Sequence, residues 1–396
     1  MSQTTRVLGA IGVAAGLWLG TIEPAGAQTV PGAPVDTFLD NIQDQIDGEC
    51  PSATSVPCVP GIVTSAGQIE VQNEGMSQYA IQQRLKALRC PPGSTNADCV
   101  GAGGASADEE GPSFFNGTSV WFSGDYENKD KDENSFESGF NSNKFGLTVG
   151  ADKRFGTWGV AGLAVNYGHT FGDYNHDNGD FNLDSVGGLA YGSFFPNDQS
   201  FIDVTVGGAF KSLDSSRGFT MVGGAHQPVE VKGDTTGAEF NASFGGGYDW
   251  SFGAFTVGPR VGLNYIKTRY DAFTENNNPL ALSYGDQTED SLTSAVGLQM
   301  SYAFSTDFGV VVPQVNGEYV HEFLNDQHTI HAVDANAPAV DLSYLTEKPD
   351  RDYAHIGAGV VFVLPEGYSP YINYRAELFN SNETVQTVTV GLRLEL

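Results

Sequence analysis

The chain has 396 residues, with 48 acidic against 19 basic side chains and a formal net charge of -29. That balance excludes a nucleic-acid binder, which needs a basic surface against phosphate. The 50 glycines and 11% aromatic residues fit an ordinary soluble core poorly. They suit a barrel with small inward residues and aromatic belts, its acid carried on solvated loops.

At the N-terminus, Arg6 precedes an apolar run from Val7 to Leu19, and Ala25-Gly26-Ala27 follows as a small-residue cleavage site. Residues 1–27 are therefore expected to be a secretory signal peptide, too short for a spanning helix. No later run of 18 apolar residues follows, which argues against a helical membrane protein but not against a membrane β-barrel.

Residues 28–66, rich in Pro, Gly and Ser, contain one short helical candidate at Val35–Ile46 and cannot bury much of a core. This stretch is expected to be a short passenger or surface segment. The cysteines form two close pairs, Cys50 with Cys58 and Cys90 with Cys99. In an oxidising periplasm two small disulfide loops are expected; four cysteines allow three connectivities, and only short spacing favours local pairing. No histidine precedes His169, so no zinc pattern is present.

Residues 67–112 are expected to be a helix and linker. From Gly67 to Arg89, Ile69, Met76, Ala80, Ile81, Leu85 and Leu88 recur at mixed threes and fours, with Gly75 as a weak point. A helix of about 20 residues is about 30 Å long, comparable with a bilayer's hydrocarbon core. Arg84, Lys86 and Arg89 place positive charge in its last turns, where the helix dipole favours it.

From Ser113 onward the pattern changes to strands. We read twelve, near 115–127, 140–155, 157–174, 180–195, 200–213, 235–251, 254–272, 288–304, 309–324, 350–364, 369–379 and 384–396. The last is the clearest: Val388, Val390, Leu392, Leu394 and Leu396 alternate with Thr387, Thr389, Gly391, Arg393 and Glu395. In Glu239–Trp250 the apolar phase is Phe240, Ala242, Phe244, Gly246, Tyr248 and Trp250. The opposite phase there is Glu239, Asn241, Ser243, Gly245, Gly247 and Asp249. Apolar side chains facing lipid and polar ones facing a wet interior explain both phases.

The connections alternate in kind. Short turns fall at Arg154–Gly159, Phe195–Ser200, Trp250–Ala254, Ser305–Gly309 and Leu364–Ser369. Between them lie mostly long polar loops, at Glu127–Asn143, Asp173–Asp180, Asp214–Asp234, Asp271–Asp290 and Asn325–Arg351, with Phe379–Glu383 as the brief exception. A soluble sandwich has no reason to sort its loops by parity, whereas an outer-membrane barrel does. The expected fold is thus all-β: an antiparallel transmembrane barrel of about twelve strands, residues 113–396, with both ends of the barrel in the periplasm.

Glycines recur in the inward phase, at Gly146, Gly150, Gly162, Gly168, Gly258, Gly262, Gly357, Gly359 and Gly391. Such residues mark close approach of another backbone. The Gly67–Arg89 helix is therefore expected in the lumen, its basic residues pairing with inward acids such as Glu239, Asp249 and Glu318. Tyr167, Tyr265, Trp250, Trp158 and Tyr374 lie near predicted strand ends, where interfacial girdles would put them.

The series FGLTVGADKRF (145–155), FTVGPRVGLNY (255–265), VVVPQVNGEYVHEFLN (310–325) and DRDYAHIGAGVVFVLPEGYSP (350–370) followed by YINYRAEL resembles the translocator barrel of the autotransporter family. These are the type V secretion proteins of Gram-negative bacteria. The resemblance covers about residues 113–396. It implies a 12-stranded barrel with a helix in its pore, inserted by the barrel assembly machinery, that exports an N-terminal passenger to the cell surface. Three departures stand out. The passenger, Gln28 to about Gly67, is far shorter than usual. The last residue is Leu396 rather than an aromatic, and with only Asn73 the helix lacks the paired asparagines of self-cleaving members, so release is not expected.

No G-x-S-x-G elbow, nucleotide loop or Rossmann glycine pattern is present. His321-Glu322 begins like H-E-x-x-H, but Asn325 occupies the second histidine's position. His321, His328 and His331 near Glu322, Asp326 and Asp334, and the run Asp125, Glu127, Asp130, Asp132 and Glu133, read as loop charge rather than metal sites. No metal, cofactor or catalytic residue is expected. The partners are outer-membrane lipid, lipopolysaccharide and the assembly machinery, and the barrel is expected to be a monomer. Two rivals remain: a permanently plugged pore or adhesin, and a barrel-embedded hydrolase acting from its outer loops.

Overall fold

The structure, a computed structural model, describes residues 81, 84, 117–134, 136–175, 179–221, 227–276 and 281–395. The signal peptide, the Val35–Ile46 helix, all four cysteines, Lys86 and Arg89 lie outside these residues. So does the Gly67–Arg89 helix apart from Ile81 and Arg84, both of which are helical.

Twelve long antiparallel strands form the wall: β1 (Thr118–Lys131), β2 (Phe140–Phe155), β3 (Gly159–Tyr174), β4 (Asp180–Asn197), β5 (Ser200–Met221) and β6 (Gln227–Tyr248). They continue with β7 (Phe255–Tyr270), β8 (Gln287–Tyr302), β9 (Gly309–Glu322), β10 (Asp352–Val363), β11 (Tyr368–Leu378) and β12 (Glu383–Glu395). Each pairs with the next, and β12 returns to β1 in a register running from Ser119 opposite Glu395 to Lys131 opposite Glu383. Closure leaves the wall without an edge, so its backbone groups are satisfied where no water reaches.

The two-residue periodicity sets the faces. On β3, Leu163 and Val165 point outward, 68% and 64% exposed, while Val160, Ala164 and Thr170 point inward and are buried. Exposed Val186, Val261, Leu263, Val296, Leu298, Val315 and Ile356 continue the outward apolar band. In water such a band would be a large apolar liability; against lipid it is the stabilising surface.

The strand ends differ from the sequence expectation mainly at the loop end. Strands β5 and β6 have 22 residues each, about twice the 9–11 that cross a bilayer. Most of Asp214–Asp234, expected to be a loop, is thus a paired hairpin, with Ser215 opposite Gly233 and Arg217 opposite Val231. The described parts of the long connections 271–286 and 323–351 also pair. Residues Leu282–Tyr284 pair with Ala332–Asp334 and with Phe273–Thr274, and Thr329–Ile330 pairs with Tyr344–Leu345.

Candidate functional site: the barrel lumen

The lumen at the turn end is built from two glycines. A Cβ on Gly150 would lie 2.6 Å from the ring of Trp121, and one on Gly162 2.5 Å from the ring of Tyr191. Only glycine lets these large side chains lie flat on the inner wall. The inward glycines thus make room partly for the barrel's own aromatic rings, not only for a luminal segment. Trp121 Nε1 donates to Tyr191 Oη at 2.7 Å, and Tyr191 Oη donates to Asp152 Oδ2 at 2.8 Å. That chain of contacts fixes a buried carboxylate in the lumen.

Asp152 receives Arg84 of the upstream segment. Nε reaches Oδ2 at 2.6 Å and Nη2 reaches Oδ1 at 2.5 Å, a two-pronged contact with both side chains essentially inaccessible. Ile81, one helical turn before Arg84, is fully buried in a cluster with Trp121, Val160, Ala164, Leu189 and Tyr191. A segment outside the wall is therefore inside the barrel at these two residues.

The acids expected to receive the basic residues all face inward, yet the wall itself occupies them. Glu239 pairs with Lys211 at 2.7 Å, Asp249 with Arg260, and Glu318 with His355 at 3.1 Å. His355 also reaches Glu377 at 3.2 Å, and Asp125 and Glu127 accept hydrogen bonds from Thr389 and Thr387. Arg84's partner is thus Asp152, which sequence reasoning missed. It lies in the inward phase of β2, but only the cross-strand register brings Tyr191 and Trp121 to it.

At the loop end the connections build a cap with its own core. Val231, Ala281, Leu282, Tyr284, Ile330, Ala332 and Tyr344 are buried together, with Phe273, Ala335 and Leu342 packed against them. Below, Phe140, Tyr174, Phe181, Leu183, Leu213 and Tyr270 form a second buried cluster on the inner wall. Arg217 grips Glu275 with bonds of 2.8 and 2.6 Å, and Glu275 also accepts the Leu282 amide at 2.8 Å. The 323–351 connection reaches across the mouth: Glu347 contacts Lys131 of β1 at 3.1 Å, and its amide donates to Glu137 at 3.2 Å. Burial pushes the phenols of Tyr284 and Tyr344 up and raises the Glu347 carboxyl.

The histidines do not converge. His321 lies on the outer face against Asp352 at 2.7 Å, His328 contacts Glu289 at 2.6 Å, and His331 is near Ser343. Among the described residues no group of three or more candidate ligands is placed to hold a metal ion. The acidic run of β1 is likewise split, Asp125 and Glu127 facing the lumen and Asp130 facing out.

The autotransporter β-domain model matches residues 120–375, well over half of the chain. The chain belongs to the autotransporter β-domain family. Family membership implies the bacterial outer membrane and the translocator role of such barrels. The fold is similar to the translocator domain of the autotransporter NalP from Neisseria meningitidis, with TM-score 0.62 and 16% identity, over 85% of this chain and 100% of that one. It is also similar to the β-domain of the Bordetella autotransporter BrkA, with TM-score 0.51 and 14% identity, over 71% of this chain and 100% of that one. At such identities the likeness concerns the fold. No curated protein matches the chain.

Proposed function

We propose that this autotransporter barrel exports or displays its own short N-terminal segment, residues 28–66, at the cell surface, and that it is not itself an enzyme. The observation that carries this reading is Arg84 held by Asp152 inside the lumen. The upstream chain enters the barrel rather than folding beside it. Ile81, one turn before Arg84, is buried in the same stretch of the lumen, in a cluster with Trp121 and Tyr191. On this reading both ends of the barrel are periplasmic, and the signal peptide and the assembly machinery deliver and insert it.

One observation favours a second reading, a permanently plugged pore or adhesin. The cap bridges the mouth from Lys131 on β1 to the cluster around Val231 on β6, so a crossing chain would have to displace it or pass at its edge. An epitope placed at residues 28–66 separates the two. On intact cells, external protease should remove it while the barrel persists; protection of the epitope until the outer membrane is broken would overturn export and leave the plug.

A further inference from the structure

The outward face just below the cap repeats one arrangement in hairpin after hairpin. Tyr167 Oη and His169 Nδ1 both contact Asp184 Oδ1, at 2.7 and 3.0 Å. Tyr265 Oη and Lys267 Nζ both contact Asp290 Oδ1, at 2.6 and 3.2 Å. Tyr319 and His321 do the same with Asp352. In each case the basic residue stands directly opposite the aspartate on the paired strand, and the tyrosine lies two residues nearer the apolar band. Hairpin β1–β2 carries an amide version, with Tyr126 and Asn128 both donating to Asn143 Oδ1. In β11–β12, Tyr374 donates to Gln386. The remaining hairpin has Phe210 at the corresponding place, 80% exposed. A ring of aromatic residues, one per hairpin, therefore marks a single level, where the apolar band gives way to charge.

At that level β7–β8 differs from the others. Lys267 and Arg269 both point outward and are about half exposed, one on Asp290 and the other on Asp286 at 2.8 Å. On their other flank the paired residues of β6 are Phe240 and Ala238, and Ala238 faces Phe210 on β5. Lys267 and Arg269, each ion-paired with an aspartate, thus stand beside an apolar strip with no acid between them and it, in a chain of net charge -29. We propose that this patch docks one lipid of the outer leaflet by its phosphorylated headgroup. Lys267 and Arg269 meet the phosphate, Asp290 and Asp286 hold the two cations at headgroup height, and the acyl chains run down past Phe210, Ala238 and Phe240. Charge complementarity and position at the girdle select a lipid phosphate over a soluble one.

This inference rests on the outer-membrane reading of the family, not on export. The test takes the full mature chain in a maltoside detergent, titrated with bisphosphorylated lipid A or with the same lipid stripped of phosphate, bound copies being counted by native mass spectrometry. The phosphorylated lipid should bind more tightly, by about fivefold for each cation engaged. Lys267→Ala/Arg269→Ala should abolish the difference, Lys267→Arg should keep it, and Lys153→Ala at the opposite end should leave it unchanged. Equal binding of the two lipids, or an undiminished preference in Lys267→Ala/Arg269→Ala, would overturn the proposal. The heat-dependent gel shift of each variant reports the barrel separately. Loss of that shift in the unmodified chain would remove the membrane reading itself.

Discussion

The two ends of the barrel meet different demands. At the turn end the chain reverses in a few residues, the outer surface is aromatic with Trp158, Trp250 and Phe252 exposed, and an upstream residue, Arg84, is held in the lumen on Asp152. At the loop end the wall outgrows the membrane, and the connections provide a buried core of their own. Lipid dictates the wall between them, where alternation is strict because each face has one surrounding. What stands in the lumen dictates the ends.

This contrast can be broken most forcefully at the turn end. Asp152→Ala leaves Arg84 charged and buried without its partner, at a cost of about 3–5 kcal/mol. Urea unfolding followed by the gel shift should show that loss, and protease should reach the 67–89 segment more readily while the cap stays protected. Next in size is Leu282→Ala, which opens a hole in the cap core and should cost about 2–5 kcal/mol. Here the expected change is confined to the other end: faster amide exchange in 271–286 and 329–345, with no change near Asp152. A global loss of protection in both variants would show that the ends are one cooperative unit.

Gly150→Ala is a smaller intervention. Its Cβ would press on Trp121, and displacing that ring should cost about 1–3 kcal/mol and loosen the Trp121–Tyr191–Asp152 chain. A red shift of tryptophan emission would report it. The smallest expected effect is at His328, whose hydrogen bond to Glu289 raises its pKa above the ordinary value despite opposing burial. A raised pKa means that the contact stabilises the cap fully below about pH 6.5 and fades as pH climbs through the folded value. Amide exchange around residue 328 should therefore quicken on going from pH 6 to pH 8 after correction for intrinsic rates, and His328→Gln should flatten that difference.

Much of this was legible in the sequence, for physical reasons. Phe240, Ala242 and Phe244 against Glu239, Asn241 and Ser243 name the two faces without any partner strand, because lipid and water sort them. The parity of the connections made the strand count even, and the alternating segments themselves counted twelve. Register was the missing quantity: nothing in the sequence tells that Asp152 stands by Tyr191, since pairing distance depends on how far each neighbouring strand is shifted. The hairpin around Arg217 and Val231 looks like loop in the sequence because, outside the membrane, a strand can be polar on its outer face. Cap strands of two or three residues, such as Leu282–Tyr284, are too short to show any period.

The account depends on the upstream segment lying in the lumen, and a cysteine pair tests this most directly. In a chain with Cys50→Ser, Cys58→Ser, Cys90→Ser and Cys99→Ser, the combination Arg84→Cys with Asp152→Cys should form an intramolecular cross-link with a short bifunctional thiol reagent in the outer membrane, the arginine–aspartate reach being too long for a direct disulfide. The same Arg84→Cys combined with Tyr126→Cys, on the outer face, should form none. A cross-link of equal yield in both, or in neither, would contradict a threaded barrel.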